Sequence, residues 1–227
     1  MNPIFKQWDT AKSLIGTYQY EEALAIYEEI ASKIEAELSD TLDKAMFFGD
    51  YFGALADVAQ YDKAEAMAAK AFHYKAEGDK YDVLRYIPFN YGHLYLLQGK
   101  WEEAIPWLEK ALGRDEKGGW ISTKSEARYG TELGVALFYL ERTGEAEEEL
   151  LNAVKVGKAT VVNQDWEPFF YLKEIYKQKG EEKLMAKYEK MYLTRLKKVK
   201  KEALIYPISQ IQGDKQALED WKKLLNL

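Results

Sequence analysis

Hydrophobic positions along this 227-residue chain recur with helical spacing. In NYGHLYLLQGKWEEAIPWLEKAL (90–112) two amphipathic stretches meet at Gly99, and Gly92, Ala104 and Ala111 stand where the apolar stripe should bulge. A small residue in such a stripe marks the close approach of another helix axis. The Ala104, Leu108, Ala111 spacing returns as Ala23, Tyr27, Ile30, as Ala64, Ala68, Ala71, and as Ala146, Leu150, Ala153. The lead alanines lie 41, 40 and 42 residues apart. Tyr20, Tyr61 and Trp101 stand three positions before the first three and Thr143 before the fourth; Ala11, Phe52, Gly92 and Gly134 stand twelve before. A period of about 40 residues predicts stacked helix pairs, because one pair cannot bury its apolar stripe alone.

Punctuation places helices at 3–16, 20–38, 40–59 with Asp40 as cap, 61–77, 80–98, 100–112, 123–142, 144–156, a helix capped by Asp165, and 181–204. Thr123 and Glu126 form a capping box. Pro168 is tolerated in a first turn, whereas Pro88 and Pro106 fall inside predicted helices and should delay a start or kink the helix. Pro207 and Gly213 bracket a linker, and Asp214 opens a last helix, DKQALEDWKKLLN. Its Ala217, Leu218, Trp221 and Leu224, with Leu225, form one apolar stripe. The organisation expected is a repeat domain over 1–206, then a linker and C-terminal capping helix over 207–227. A solenoid exposes the apolar flank of its final pair, so a cap is needed. Trp221 and Leu225 should pack on the fifth pair of their own chain or of a twofold mate, giving a monomer or a homodimer through this helix.

Composition narrows the class. Hydrophobic residues make up 47% and charged residues 31%, as in a soluble globular protein. KVGKATVVN (155–163) is the single strand-like run. No run of about 18 apolar residues could span a membrane. The start, MNPIFKQWDTAK, lacks the layout of a signal peptide, so cytoplasmic residence is expected. With no cysteine there is no disulfide or thiol chemistry. A net charge of −6 argues against a nucleic-acid partner.

Candidate chemistry is sparse. The only histidines, His73 and His93, have no second histidine or cysteine at metal-ligand spacing, so no metal or cofactor is expected. GKAT (157–160) ends like a phosphate loop, but Asn152 stands where the loop needs its first glycine. Acidic runs such as EEEL (147–150) read as solvated helix faces. In RLKKVKK (195–201) the lysines offset the negative end of a helix dipole while Leu196, Val199 and Leu204 pack. Trp120 could contact a partner or staple the entry to the next helix. No GxSxG or GxGxxG occurs, and no catalysis is expected.

NYGHLYLLQGKWEEAIPWLEKAL resembles a tetratricopeptide repeat: small residue, aromatic, turn glycine, aromatic, alanine, large residue, alanine. LGVALFYLERTGEAEEELLNAV (133–154) resembles it nearly as well. The two earlier copies are weaker, and FYLKEIYKQKGEEKLMAKYEKMYL (170–193) looks like a degenerate fifth. The resemblance covers roughly residues 3 to 195. The usual repeat is about 34 residues; the extra length resembles variants in bacterial peptide sensors and eukaryotic scaffold proteins.

The resemblance implies an all-α, right-handed superhelical solenoid of about five helix pairs plus a C-terminal capping helix. It implies a non-catalytic protein- or peptide-binding scaffold in which the first helix of each pair lines a concave groove. Mapped onto this sequence, the groove presents Trp8, Lys12, Asp50, Arg85, Phe89, Asn90, His93, Arg128 and Glu132. Aromatics would anchor apolar groups, Asn90 would bond backbone, and Arg85 with Arg128 would hold an anion. Gly49 and Gly53 either make room for a ligand or allow tight helix packing. The clamp for a chaperone's C-terminal carboxylate is incomplete, because Trp8, Lys12, Gly49 and Gly53 occupy its slots. The alternative function is a regulatory peptide sensor related to bacterial quorum-sensing regulators with these repeats; an enzyme on a helical scaffold is less favoured.

Overall fold

The computed structural model describes residues 3–79, 84–114, 121–157 and 166–225. All regular structure among them is helical. Five pairs follow one another: α1 (Pro3–Ile15) with α2 (Tyr20–Glu37), α3 (Thr41–Asp57) with α4 (Tyr61–Gly78), α5 (Tyr86–Leu97) with α6 (Trp101–Ala111), α7 (Thr123–Tyr139) with α8 (Thr143–Gly157), and α9 (Glu167–Gln178) with α10 (Glu182–Leu196). Two further helices, α11 (Glu202–Ile205) and α12 (Gln212–Leu224), complete the chain. The first helices pack on one another in sequence, α1 on α3, α3 on α5, α5 on α7 and α7 on α9, and so form one layer of the solenoid.

The small residues sit at the crossings. Ala23, Ala64, Ala104 and Ala146 are fully buried. A Cβ on Gly92 would lie 2.8 Å from Leu108 Cγ, and one on Gly134 2.7 Å from Leu150 Cγ. No side chain fits there without moving the partner helix.

Each pair reverses through one left-handed residue: Tyr18 (φ 63°), Ala59 (59°), Gly99 (73°), Glu141 (59°) and Gly180 (71°), always two positions before the second helix begins. The next amide then bonds a carbonyl five residues back, Gln19 to Leu14, Gln60 to Leu55, Lys100 to Tyr95, Arg142 to Leu137 and Glu181 to Tyr176, at 2.9–3.0 Å. This closure satisfies helix-end carbonyls that have no intrahelical partner. Helix α5 is apolar all round because it has a core on either side. Ile87, Leu94 and Leu97 face the N-terminal cluster, while Phe89 and Leu96 face the C-terminal one.

Several boundaries differ from those read in the sequence. Helix α5 starts at Tyr86 rather than 80, which places Pro88 in the first turn, where no amide is needed. Helix α6 runs through Pro106, whose ring faces solvent. Ser122, not Thr123, caps α7, its Oγ accepting from the Ser125 amide at 3.1 Å. Helix α10 ends at Leu196, because the turns that follow carry Val199 and Leu204 into the core. The expected cap Asp165 and the aromatic Trp120 lie outside the described residues.

After α10 the chain crosses back to the first repeat. It then runs forward as a strap, 206–211, along the edge of the groove where the first helices end; the Tyr206–Pro207 peptide is cis, and the chain is open beyond it. The Tyr206 ring packs on Tyr20 at 4.6 Å, tilted by 34°. The Ile208 amide donates to the Asp57 carbonyl at 2.8 Å and the Gln210 amide to the Leu97 carbonyl at 3.1 Å. The Gly213 amide donates to the Tyr139 hydroxyl at 3.0 Å. The strap thus touches repeats one to four in order and delivers α12 to the fifth pair of its own chain. There Trp221 is buried and donates to the Val199 carbonyl at 3.1 Å, and Tyr192 donates to Asp220 at 3.0 Å. Leu225, expected to pack, is exposed, since it falls in the turn after the last helical residue.

Candidate functional site

The groove residues read from the sequence separate into three sets. On the first two pairs, the Trp8 indole donates to Asp50 Oδ2 at 3.0 Å. Lys12 lies 4.8 Å from the centre of the Trp8 ring and pairs with Asp9 at 2.9 Å. Burial pushes the Asp50 carboxyl up to about 6 although the Trp8 hydrogen bond and Lys12 oppose it.

The second set holds helices together. Arg85 is buried and donates from Nη1 to the Lys110 carbonyl at 2.8 Å. Asn90 donates to the Gly49 carbonyl at 3.2 Å. A Cβ on Gly53 would lie 2.8 Å from Asn90 Nδ2, and one on Gly49 2.9 Å from the Tyr86 hydroxyl. Both glycines therefore let α3 and α5 approach. Phe89 is buried against Tyr129 at a ring separation of 4.1 Å.

The third set gathers at one place. His93 on α5 lies between Glu132 on α7, 3.0 Å from Nδ1, and Asp57 on α3, 3.5 Å from Nε2. Asp57 also accepts from the Tyr20 hydroxyl at 2.9 Å. Burial alone would lower the His93 pKa, but Glu132 and Asp57 hold it up at about 10, so the ring is an imidazolium. Its two N–H groups are both directed at carboxylates, leaving neither nitrogen to ligate a metal. Arg128 extends from α7 over the Phe89 ring at 4.6 Å, with its guanidinium 3.9 Å from Glu132 and largely exposed.

These side chains line a cavity of about 400 Å³. Every first helix or the turn after it contributes: Tyr18, Asp57, His93, Glu132 and Tyr171 belong to successive pairs. The remaining wall is the chain's own C-terminal segment, through Leu204, Tyr206, Pro207, Ile211 and Asp214. Burial pushes the Asp214 carboxyl up to about 6 against the opposing pull of Ser209 and His93. The sequence reading missed this wall, along with Asp57, Tyr18 and Tyr20. One signal was available: Ile205 to Gly213 is nine residues without a charge, in a chain that is 31% charged. Among the described residues no group of three His, Asp or Glu side chains is arranged to hold a metal ion, and no helix is long and apolar enough to cross a membrane.

No protein-family model and no curated protein matches the sequence. Solved structures do. MamA, residues 41 to the end, from Desulfovibrio magneticus RS-1 aligns with a TM-score of 0.60 at 16% identity, over 86% of this chain and 96% of that one. The apo form of RapI aligns with a TM-score of 0.69 at 15% identity, over 98% of this chain and 63% of that one. A putative kinesin light chain with nearly identical TPR-like repeats, from Podosopora anserina, aligns with a TM-score of 0.64 at 16% identity, over 87% and 98%. Identities this low speak for fold alone. The period, the paired helices and these likenesses together make the chain a solenoid of the tetratricopeptide-repeat fold.

Proposed function

We propose that this protein is a non-catalytic scaffold that holds a protein or peptide partner in its concave groove, over the cavity at His93, Glu132 and Arg128. The observation that carries the reading is that a segment of the chain itself lies along the rim of the groove. Its residues 208–210 are bound through the Ile208 and Gln210 amides to the helix-end carbonyls of Asp57 and Leu97. The cavity beside them has a size suited to a side chain or two, with aromatic and charged walls. Lys12 and Arg128, both exposed, are the groove cations in reach of a partner's carboxylates. A net charge of −6 works against binding nucleic acid.

The test compares faces. Partners captured from the native host by the full chain are compared with those captured by Arg128→Glu and Lys12→Glu, and by Glu65→Lys and Glu148→Lys on exposed positions of second helices. A partner lost at least tenfold with the groove changes and kept with the outer ones supports the reading. The reverse pattern moves the site to the convex face.

A further inference from the structure

We infer that the 206–211 strap is a displaceable internal occupant, and that the stretch of the partner that replaces it is uncharged, with an aromatic residue five positions before an aliphatic one, while the carboxylates met by Lys12 and Arg128 flank that stretch. The inference rests on the groove reading above and specifies the chemistry of its ligand. It begins with the carbonyls. Asp57 and Leu97 are the last residues of α3 and α5, so their carbonyls have no acceptance role inside the helix. Left bare in a groove they must find donors. The strap supplies two, from Ile208 and Gln210, residues on the same side of an extended chain. The Tyr61 hydroxyl stands 3.3 Å from both the Leu97 and the Ile208 carbonyl and donates its one proton to either. This pattern reads backbone rather than side chain, so any extended segment could reproduce it, as in strand addition to a sheet edge.

Side chains add selectivity at two positions. Tyr206 packs on Tyr20, and Ile211 is buried at 6% exposure. Between them Pro207, Ile208, Ser209 and Gln210 carry no charge, which suits a track bordered by Asp57, Glu132, His93 and Arg128, whose two negative and two positive charges balance.

The strap is held lightly for a structural element. Ile208 leaves 44% of its surface exposed, a poor use of a large apolar side chain if the segment served only the fold. The strap forms one wall of the cavity, and of its residues only Ile211 joins the core. A segment whose Ile208 and Gln210 are exposed and which is held by single hydrogen bonds opens without global unfolding. Tethered at both ends, it competes at a high effective concentration, so an external segment binds weakly until the strap is loosened.

The probe is the acetylated, amidated peptide IYPISQIQG, carrying a fluorophore, against the full chain. The double variant Ile208→Pro, Gln210→Pro removes both donating amides and leaves α12 in place. It should bind the peptide at least tenfold more tightly than the unaltered chain, and a scrambled peptide should bind neither. A folded double variant, by circular dichroism, that binds the peptide no better than the unaltered chain overturns the inference. Hydrogen exchange on the unaltered chain decides independently of that variant's folding. Amides of Ile208 and Gln210 should exchange at least tenfold faster than core amides of α5 and α9, and faster still with excess peptide. Protection equal to the core would make the strap a permanent clasp. A clasp would leave the groove reading to stand on the face comparison, whereas peptide binding with partners lost only on the convex face would overturn that reading and keep the strap.

Discussion

At Gly92 an added Cβ would come within 2.8 Å of Leu108 Cγ, and at Gly213 it would run closer still, into the Tyr171 hydroxyl. Both positions are closed to a side chain but differ in their surroundings. Gly92 sits in a crossing that recurs at Gly134, where the helices are long, mutually buried and fixed by contacts above and below. Gly213 lies in the first turn of α12, just past the strap, buried against Phe170 and Tyr171 of α9. A crossing inside the repeats must absorb any insertion through two packed helices, whereas the start of α12, docked on one face only, can lift with the strap. The closer contact is therefore not the costlier one.

Substitution at the repeat crossing should have the largest effect. Gly92→Val overpacks a site whose neighbours cannot retreat, and should cost about 3 kcal/mol, the upper end of the usual range. Urea denaturation of the full chain measures it. A loss below about 1 kcal/mol would mean that the crossing yields as the strap does.

Gly213→Val should cost less, about 1 kcal/mol in global stability. Its effect should be local: the Trp221 fluorescence should shift to the red before the main transition. One cooperative transition with a loss as large as that of Gly92→Val would erase the distinction between the two regions.

The smallest effect concerns the five turns. Gly99 and Glu141 both hold left-handed backbone, and a Cβ on Gly99 would meet nothing nearer than Trp101 Cζ2 at 3.6 Å. Gly99→Ala should lose about 1 kcal/mol from backbone strain alone, and Glu141→Gly should gain about half that. Equal stability of all three proteins would show that the turn is set by its surroundings rather than by the residue.

What could be read in advance follows from the same contrast. The period near 40, the buried alanines and the pairing of helices were legible, because a repeat writes one packing constraint several times. The left-handed turns recur as regularly, yet only Gly99 and Gly180 advertise them; Tyr18, Ala59 and Glu141 are held there by the closing hydrogen bonds of their own helix ends. In the groove, the resemblance maps His93, Arg128 and Glu132 together with Arg85 and Asn90, and pairs Arg85 with Arg128. Arg85 and Asn90 have comparable polarity but answer carbonyls of neighbouring helices, Lys110 and Gly49, which a linear pattern cannot locate.

The sequence by itself determined the fold class, the pairing of helices and where their axes come close, since those depend on spacing between residues near in the chain. It left Asp57, Tyr20 and the strap unmarked. Their partners lie 36 residues away for Asp57 and His93, and 186 for Tyr20 and Tyr206. Only the tertiary structure decided that α3 and α5 end on carbonyls facing one groove, and that the uncharged stretch after α11 is the segment that meets them. The physical reason is that a helix-end carbonyl takes whichever donor the superhelix brings within reach, and a single extended segment repeats nothing by which it could be recognised beforehand.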